Sequence, residues 1–126
     1  MFLLDTHAII WYVTGNDELS VTARQIMETN KCFFSFASLW EIAIKQAKRT
    51  LDFKIDIPRL KSVLEDEDFI YLPPTEYDAE QIKVLPDVHK DPFDRLLISQ
   101  AINNDLTIVT RDSKIPLYKV KTVWST

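Results

Sequence analysis

Glycine is nearly absent from this chain of 126 residues: Gly15 is the only one. A Walker A loop and a dinucleotide fingerprint both need several glycines so that the backbone can approach phosphate closely. A serine-hydrolase elbow needs glycines on both sides of its serine. All of these are excluded, so any phosphate must be met by side chains or by a metal. Cysteine is equally scarce. Cys32 stands alone, which rules out an internal disulfide and a cysteine-based zinc site. No apolar run approaches the length of a membrane span. The opening "MFLLDTH" has no basic region and meets an acid at position 5, so it does not read as a secretory signal. A cytoplasmic protein with no membrane contact is the expectation.

Positive charge is also in deficit. Lys and Arg number 15 against 19 Asp and Glu, for a net charge of −4 and a pI of about 5.1. On charge alone this speaks against a nucleic-acid binder that works through a broad basic face.

What is present is an ordinary globular composition, 46% hydrophobic and 27% charged. The length suits one domain spanning 1–126. A chain of this size buries roughly two-thirds of its unfolded surface. Strands and helices alternate. Phe2–Leu4 reads as a buried strand and "AIIWYV" as a helix; "LSVTARQIME" is a second helix capped by Ser20. Lys31–Phe36 reads as a strand and "SLWEIAIKQAKR" as a helix. "DIPRLKSVLEDEDF" is a helix with Pro58 at its first position, Ile70–Leu72 a strand, and "PPTEYDAEQIKVL" a helix capped by Thr75. After the loop "PDVHK" comes the helix of "HKDPFDRLLISQA", then the strand Leu106–Thr110 and a last edge strand within Tyr118–Trp124. Strands alternating with helices imply crossover units and a mainly parallel sheet, hence an α/β/α sandwich. Such sheets bind ligands outside the carboxyl ends of their strands.

The acids fall at that edge. Asp5 directly follows the first strand, and Asp112 follows Leu106–Thr110 by two residues. Glu41 and Asp94 each sit about one turn into a helix. Four carboxylates from four segments can therefore converge on one rim, whereas the run Glu65–Asp68 reads as a solvated face. Each acid also has a purely structural reading. Ser38-x-x-Glu41 matches a capping box. Asp91 before Pro92 is an N-cap, which puts Asp94 at N3, where a negative charge favours the helix dipole. Asp112 in "TRDS" suits a turn. Asp5 beside a buried strand must be paired or hydrogen-bonded, and a salt bridge to an arginine would serve.

Taken together, the acids point further. Carboxylates about 4 Å apart repel by roughly 4 kcal/mol per pair at an effective dielectric of about 20. A fold that gathers four of them needs a cation to offset the repulsion. Oxygen ligands alone select a hard ion, Mg²⁺ or Mn²⁺, over zinc. Such an ion activates water for attack on phosphorus and stabilises the leaving oxygen, which is the chemistry of a metal-dependent nuclease. It also turns an acidic rim into a phosphate-binding one. Lys45, Lys48, Arg49, Lys90, Arg95 and Arg111 lie on the same segments, and Arg95 and Arg111 each neighbour a proposed ligand. Ordinary solvated helix faces are the other reading of these cations.

The ordered set "LLDTH", "SLWEIAIK", "HKDPFDRLLISQA" and "LTIVTRD" resembles the PIN-domain ribonucleases, and more closely the VapC-type toxins of bacterial toxin–antitoxin systems. The resemblance covers essentially the whole chain. It implies a Mg²⁺- or Mn²⁺-dependent endoribonuclease on a compact α/β/α sandwich. The family's four acids fall on Asp5, Glu41, Asp94 and Asp112, as catalytic metal ligands. Thr6, Ser38 and Thr110 match small polar positions near the metal in a supporting role, and Asp91 either caps its helix or reaches the metal through water. The resemblance also implies partners: an RNA substrate (tRNA, ribosomal RNA or message), a VapB-type antitoxin whose tail occupies the groove, and a second copy of the chain. Trp11, Tyr12 and Trp40 would line such a groove or a dimer face, with core packing the expectation for Trp40. His7 and His89 are single and far apart, and read as structural, with a general-base role for either as the other reading.

Two other readings stand beside this one. A catalytically silent module would keep the fold and the acids but only hold RNA or a protein. A phosphoacceptor receiver domain also sets acids and Mg²⁺ on a parallel sheet. It needs paired acids after its first strand, where this chain has Asp5 alone.

Overall fold

The run Phe2–Leu4 forms strand β1 in the computed structural model, which describes residues 1–125. It is followed in the chain by β2 (Cys32–Ser35), β3 (Ile70–Leu72), β4 (Thr107–Val109) and β5 (Thr122–Val123). All pairings are parallel, in the order β3-β2-β1-β4-β5. In register, Leu3 lies between Phe33 and Ile108, and Leu4 between Phe34 and Val109. Successive strand residues point to opposite faces, so these two rows feed two separate cores. Leu4, Phe34 and Val109 join Ile9, Leu60 and Leu64 on one face. Leu3 and Ile108 join Leu97, Ile98 and Ile115 on the other. Each fully buried leucine or isoleucine contributes roughly 1.5–3 kcal/mol relative to exposure, which is why the strands read as continuous apolar runs.

Helices α1 (Thr6–Thr14), α2 (Val21–Thr29), α3 (Phe36–Ala47) and α4 (Ile57–Asp66) supply the first face, and α5 (Glu76–Val84) and α6 (Pro92–Asn104) the second. The result is the expected α/β/α sandwich around a parallel sheet. Local chemistry starts and stops these helices. Ser20 caps α2 by accepting from Ala23 N at 3.0 Å. At α5, Asp78 reaches back to Thr75 N at 2.8 Å. Asp56 caps α4, with Pro58 one position later than expected. Gly15 ends α1 at φ 65°, where a residue without Cβ is least strained.

Two expectations are corrected. The strand at Lys31–Phe36 is shorter, because α3 already begins at Phe36 with Ser35 as its N-cap, accepting from Ala37 N at 2.9 Å. Ser38 therefore lies inside the helix, and the Ser38–Glu41 capping box does not form. Likewise, only Thr122–Val123 of the stretch Tyr118–Trp124 is strand. Ile115–Leu117 makes a 3₁₀ turn, and Tyr118 is drawn into the second core, where its hydroxyl donates to Pro86 O at 2.9 Å.

The topology locates the functional edge. From β1 the chain builds outward through β2 to β3, then returns to the other side of β1 as β4. The strand order thus reverses between β1 and β4, and a crevice opens at the carboxyl ends of that pair. Asp5 and Thr110 are the residues that immediately follow those two strands. No helix among the described residues is long and apolar enough to cross a membrane.

Candidate active site

A cavity of about 320 Å³ opens at this crevice, lined by Asp5, Glu41, Asp91, Asp94 and Asp112 among others. Four chain segments thus deliver the four expected acids to one place.

Asp5 is 8% exposed and held at both oxygens. Its Oδ1 accepts from Thr6 N at 2.7 Å as the α1 cap, and its Oδ2 accepts from Thr110 Oγ1 at 2.7 Å. Among the described residues it makes no ion pair, so hydrogen bonds and not the alternative arginine satisfy it. Burial pushes its carboxyl above the ordinary range, against the pull of Thr110, His7 and Thr6, and Glu41 adds to the rise. Thr110 serves two acids, since its Oγ1 also accepts from Asp112 N at 3.0 Å. Thr6 Oγ1 donates to the buried Ser38 Oγ at 2.9 Å, tying α1 to α3 beneath the acids.

Glu41 is buried in the second turn of α3 and pairs with Lys45 Nζ at 2.8 Å. Burial works against the Lys45 ammonium. The hydrogen bond and charge of Glu41, with Asp91 and Asp94 behind it, outweigh that and hold the amine above its ordinary value. Asp91 caps α6: its Oδ1 accepts from Phe93 N at 2.8 Å and Asp94 N at 3.2 Å. Asp94 then projects from the first turn of α6. Its carboxyl is pushed up to about 8, first by burial and then by the charges of Asp5, Asp91, Glu41 and Asp112. Asp112 behaves differently. Burial would raise it, but the N–H groups of Ile115 and Lys114 and the neighbouring His89 hold it below the usual range. Its Oδ1 accepts from Lys114 N at 2.7 Å and Ile115 N at 3.0 Å, so one oxygen shapes the turn while the other faces the cavity.

His89 is the residue that the sequence reading missed. It is buried, with Nε2 2.8 Å from Asp94 Oδ2 and 3.4 Å from Asp112 Oδ2. Its Nδ1 accepts from Asp91 N at 3.3 Å. That contact turns Nε2 toward the two carboxylates. His89, Asp94 and Asp112 offer ligand atoms all within 4.8 Å of one another. The available signal was its place five residues before Asp94 in "HKDPFD".

The cations divide. Lys45 and Arg111 line the cavity. Arg111 pairs with Glu18 at 2.6 Å and lies over the Trp11 ring at 4.5 Å from its centroid. Arg95, expected beside phosphate, turns the other way. Its guanidinium donates to the carbonyls of Pro86 (3.0 Å), Ile82 (3.2 Å) and His89 (3.3 Å), and approaches Tyr118 Oη at 3.4 Å. It braces the loop that carries His89 and does not line the cavity. Lys48, Arg49 and Lys90 do not line it either. Trp40, expected in the core, is 40% exposed and packs edge-on against Phe93 with centroids 4.6 Å apart. Tyr12 packs on Phe69 away from the cavity, whereas Trp11 is part of its wall.

The donor set fits a hard divalent ion. Carboxylate oxygens predominate, with one imidazole at the edge, and the buried negative charge is offset only in part by Lys45.

The same fold occurs in solved structures. VapBC2 from Rickettsia felis, bound to a DNA fragment from its promoter, matches with a TM-score of 0.71 at 15% identity, over 98% of this chain and 98% of that one. A toxin–antitoxin complex from Klebsiella pneumoniae matches with a TM-score of 0.68 at 20% identity, over 98% and 96%. FitAcB from Neisseria gonorrhoeae matches with a TM-score of 0.66 at 23% identity, over 97% and 96%. No curated protein sequence matches. A family model described as the PIN domain matches residues 2–121, which takes in all four acids of the cavity. This chain belongs to the PIN domain family.

Proposed function

We propose that this chain is a divalent-metal-dependent endoribonuclease and acts as the toxin of a toxin–antitoxin pair. It would work in the cytoplasm as a single nuclease domain spanning residues 1–126. The observation that carries this reading is the convergence of Asp5, Glu41, Asp94 and Asp112 on one cavity, where burial and mutual repulsion push Asp94 up to about 8. A protein with no cation to hold would gain by dispersing those charges. Asp5, Glu41, Asp94 and Asp112, through the Oδ2 that does not shape the turn, would hold Mg²⁺ or Mn²⁺. The ion, when bound, would supply the positive charge that favours attack of water on the phosphodiester phosphorus and stabilises the departing oxygen.

The chain's own residues have definite tasks in this scheme. Thr6 N–H and the Thr110 hydroxyl fix the orientation of Asp5. His89 fixes Asp94 through Nε2 and is itself set by Asp91 N. Ser38 supports the start of α1 through Thr6, and Asp91 holds α6 so that Asp94 faces inward. Lys45 and Arg111, the two cations on the cavity wall, meet the phosphate backbone. An RNA substrate (tRNA, ribosomal RNA or message), a VapB-type antitoxin over the groove and a second copy of this chain are the proposed partners. The similarity to toxin–antitoxin complexes supports the antitoxin.

The test is cleavage of total tRNA and a structured RNA by purified, partner-free protein in EDTA, Mg²⁺ or Mn²⁺. Asp5→Asn and Asp94→Asn are prepared identically. Cutting that needs the ion and is lost in both variants is the expected result. Ion binding with no cutting of any RNA would favour a silent binding module instead. Cutting that survives both substitutions would remove these acids from the mechanism.

A further inference from the structure

One wall of the acidic cavity is neither acidic nor explained by holding an ion. His7, Trp11, Arg111 and Trp124 line it together. Their planes form an array. The His7 ring lies 5.3 Å from Trp11 at a 37° tilt, and the Arg111 guanidinium sits 4.5 Å over the Trp11 centroid. Trp124 closes the array edge-on at 5.8 Å. Packing explains Trp11 and Trp124 in part, since both border the first core. It does not explain His7, which is exposed, or Arg111, whose side chain keeps 52% of its surface open. An exposed imidazole, a half-buried indole and a half-exposed guanidinium, lining the same cavity as the acids, have the composition of a base-stacking platform. Single-stranded RNA is bound by stacking unpaired bases on aromatic rings and arginine planes while cations follow the backbone.

We infer that His7, Trp11 and Arg111 form a nucleobase subsite that takes the base of a nucleotide adjoining the phosphate held at the acids. This rests on the nuclease reading and deepens it: the substrate is single-stranded or flipped out at the cut site, because a base held in a duplex cannot reach the platform. The subsite reads a π-face and not a hydrogen-bonding edge, so it tolerates any base. Arg111 contributes twice, with its plane to the base and its charge to the phosphate. The Arg111–Glu18 pair is exposed on both sides and gives way at little cost.

The experiment uses protein carrying Asp94→Asn, to stop cutting, and Trp40→Phe, so that emission comes from Trp11 and Trp124. Oligouridine and oligoadenosine of about eight nucleotides, a usual site size for such grooves, are titrated with Mg²⁺ present, by anisotropy and by tryptophan emission. Both RNAs are expected to bind with similar affinity and to quench the emission. Trp11→Leu should weaken binding by roughly five- to 150-fold, the range for one stacked base, and Trp11→Phe should restore most of it. His7→Ala, at an exposed position where folding is not at risk, should weaken binding in the same direction. An oligonucleotide with one abasic nucleotide at the cut site should bind the Trp11→Leu protein and its parent alike. Arg111→Gln should lower the slope of log affinity against log salt by about 0.7, as for one lost phosphate contact on a single strand.

Binding that is unchanged in both Trp11→Leu and His7→Ala would overturn the subsite. If wild-type protein still cuts RNA with its metal, the nuclease reading stands alone. Quenching by a basic peptide but not by either RNA would also overturn it and assign the wall to a protein ligand. If wild-type protein neither binds nor cuts RNA, both readings fall together.

Discussion

His89 Nε2 lies 2.8 Å from Asp94 Oδ2, and the same ring accepts from Asp91 N through Nδ1. One imidazole thus links the residue that caps α6 to the acid that α6 presents. An ion held at Asp94 would need that carboxylate in one orientation, and the His89 contact would supply it. Partners that orient metal ligands typically matter by 10–100-fold in affinity or activity. His89→Ala is therefore expected to weaken Mn²⁺ binding and RNA cleavage by roughly that factor. Titration calorimetry and cleavage rates on the same preparation check it. Unaltered values for both would reduce His89 to a loop residue.

Asp94→Asn removes one of several facing charges. In EDTA the variant should melt at the same temperature as the parent or higher, because it no longer carries an ionisable carboxyl that burial and then the neighbouring acids push up to about 8. Mg²⁺ should raise the melting temperature of the parent and raise that of the variant less. If the variant instead melted lower and Mg²⁺ affected neither protein, Asp94 would be serving only its helix.

The acids also set how stability depends on pH. Asp94 moves from an ordinary 3.8 to about 8 in the folded protein. Between those values the folded state keeps a proton that the unfolded chain has released. Metal-free stability from this group is therefore fully present below about pH 4 and is lost as pH rises from there through about 8. Asp5 is shifted the same way. Asp112, held low, acts in the opposite sense and loses its contribution as pH falls through its folded value. Melting in EDTA across this range should show the decline, and Asp94→Asn should flatten it. Ion binding below about pH 8 should release a proton, read as a buffer-dependent heat.

Arg95 and Arg111 are expected to fail differently. Arg95→Ala leaves the carbonyls of Pro86, Ile82 and His89 short of a donor and should destabilise the fold by about 1–3 kcal/mol. Arg95→Lys should rescue little, since an ammonium cannot span that fork. Arg111→Ala should leave the melting temperature nearly unchanged and weaken RNA binding. Denaturant titration beside an RNA-binding curve separates the two. Equal stability loss in both would contradict the assignment.

Ser35 and Ser38 give a direct test of where α3 begins. Ser35→Ala removes a true N-cap and should cost about 1 kcal/mol, with more added by its lost contact to the buried Gln100. Ser38→Ala removes only a hydroxyl contact to Thr6 and should destabilise less. The reverse order in chemical denaturation would restore Ser38 as the cap.

How much of this was legible beforehand depends on the range of the interaction. β1 and the caps at Ser20, Thr75 and Asp91 were readable because they rest on contacts within a few residues. The parallel sheet was readable because both of its faces must be covered, which leaves apolar runs between helices. The acids could be placed at one edge for the same topological reason. The start of α3 was misjudged because Ser35 and Ser38 are equally good caps locally. The choice fell to Ser35, which also donates to Gln100 from distant α6.

The sequence by itself determined the fold class, the order of elements and which acids could meet, because strand and helix periods are local and a parallel sheet has one ligand-binding edge. Only the tertiary structure decided which polar groups line the acidic cavity and which brace the scaffold. Arg95 and Arg111 look alike beside their acids, yet one turns to the carbonyls of its own loop and the other to the cavity. His89 joins the acids because Tyr118, 29 residues on, holds its backbone N–H at 2.7 Å. Such assignments depend on pairings across the chain, and a burial that raises the worth of a hydrogen bond is a property of the assembled core, not of any segment.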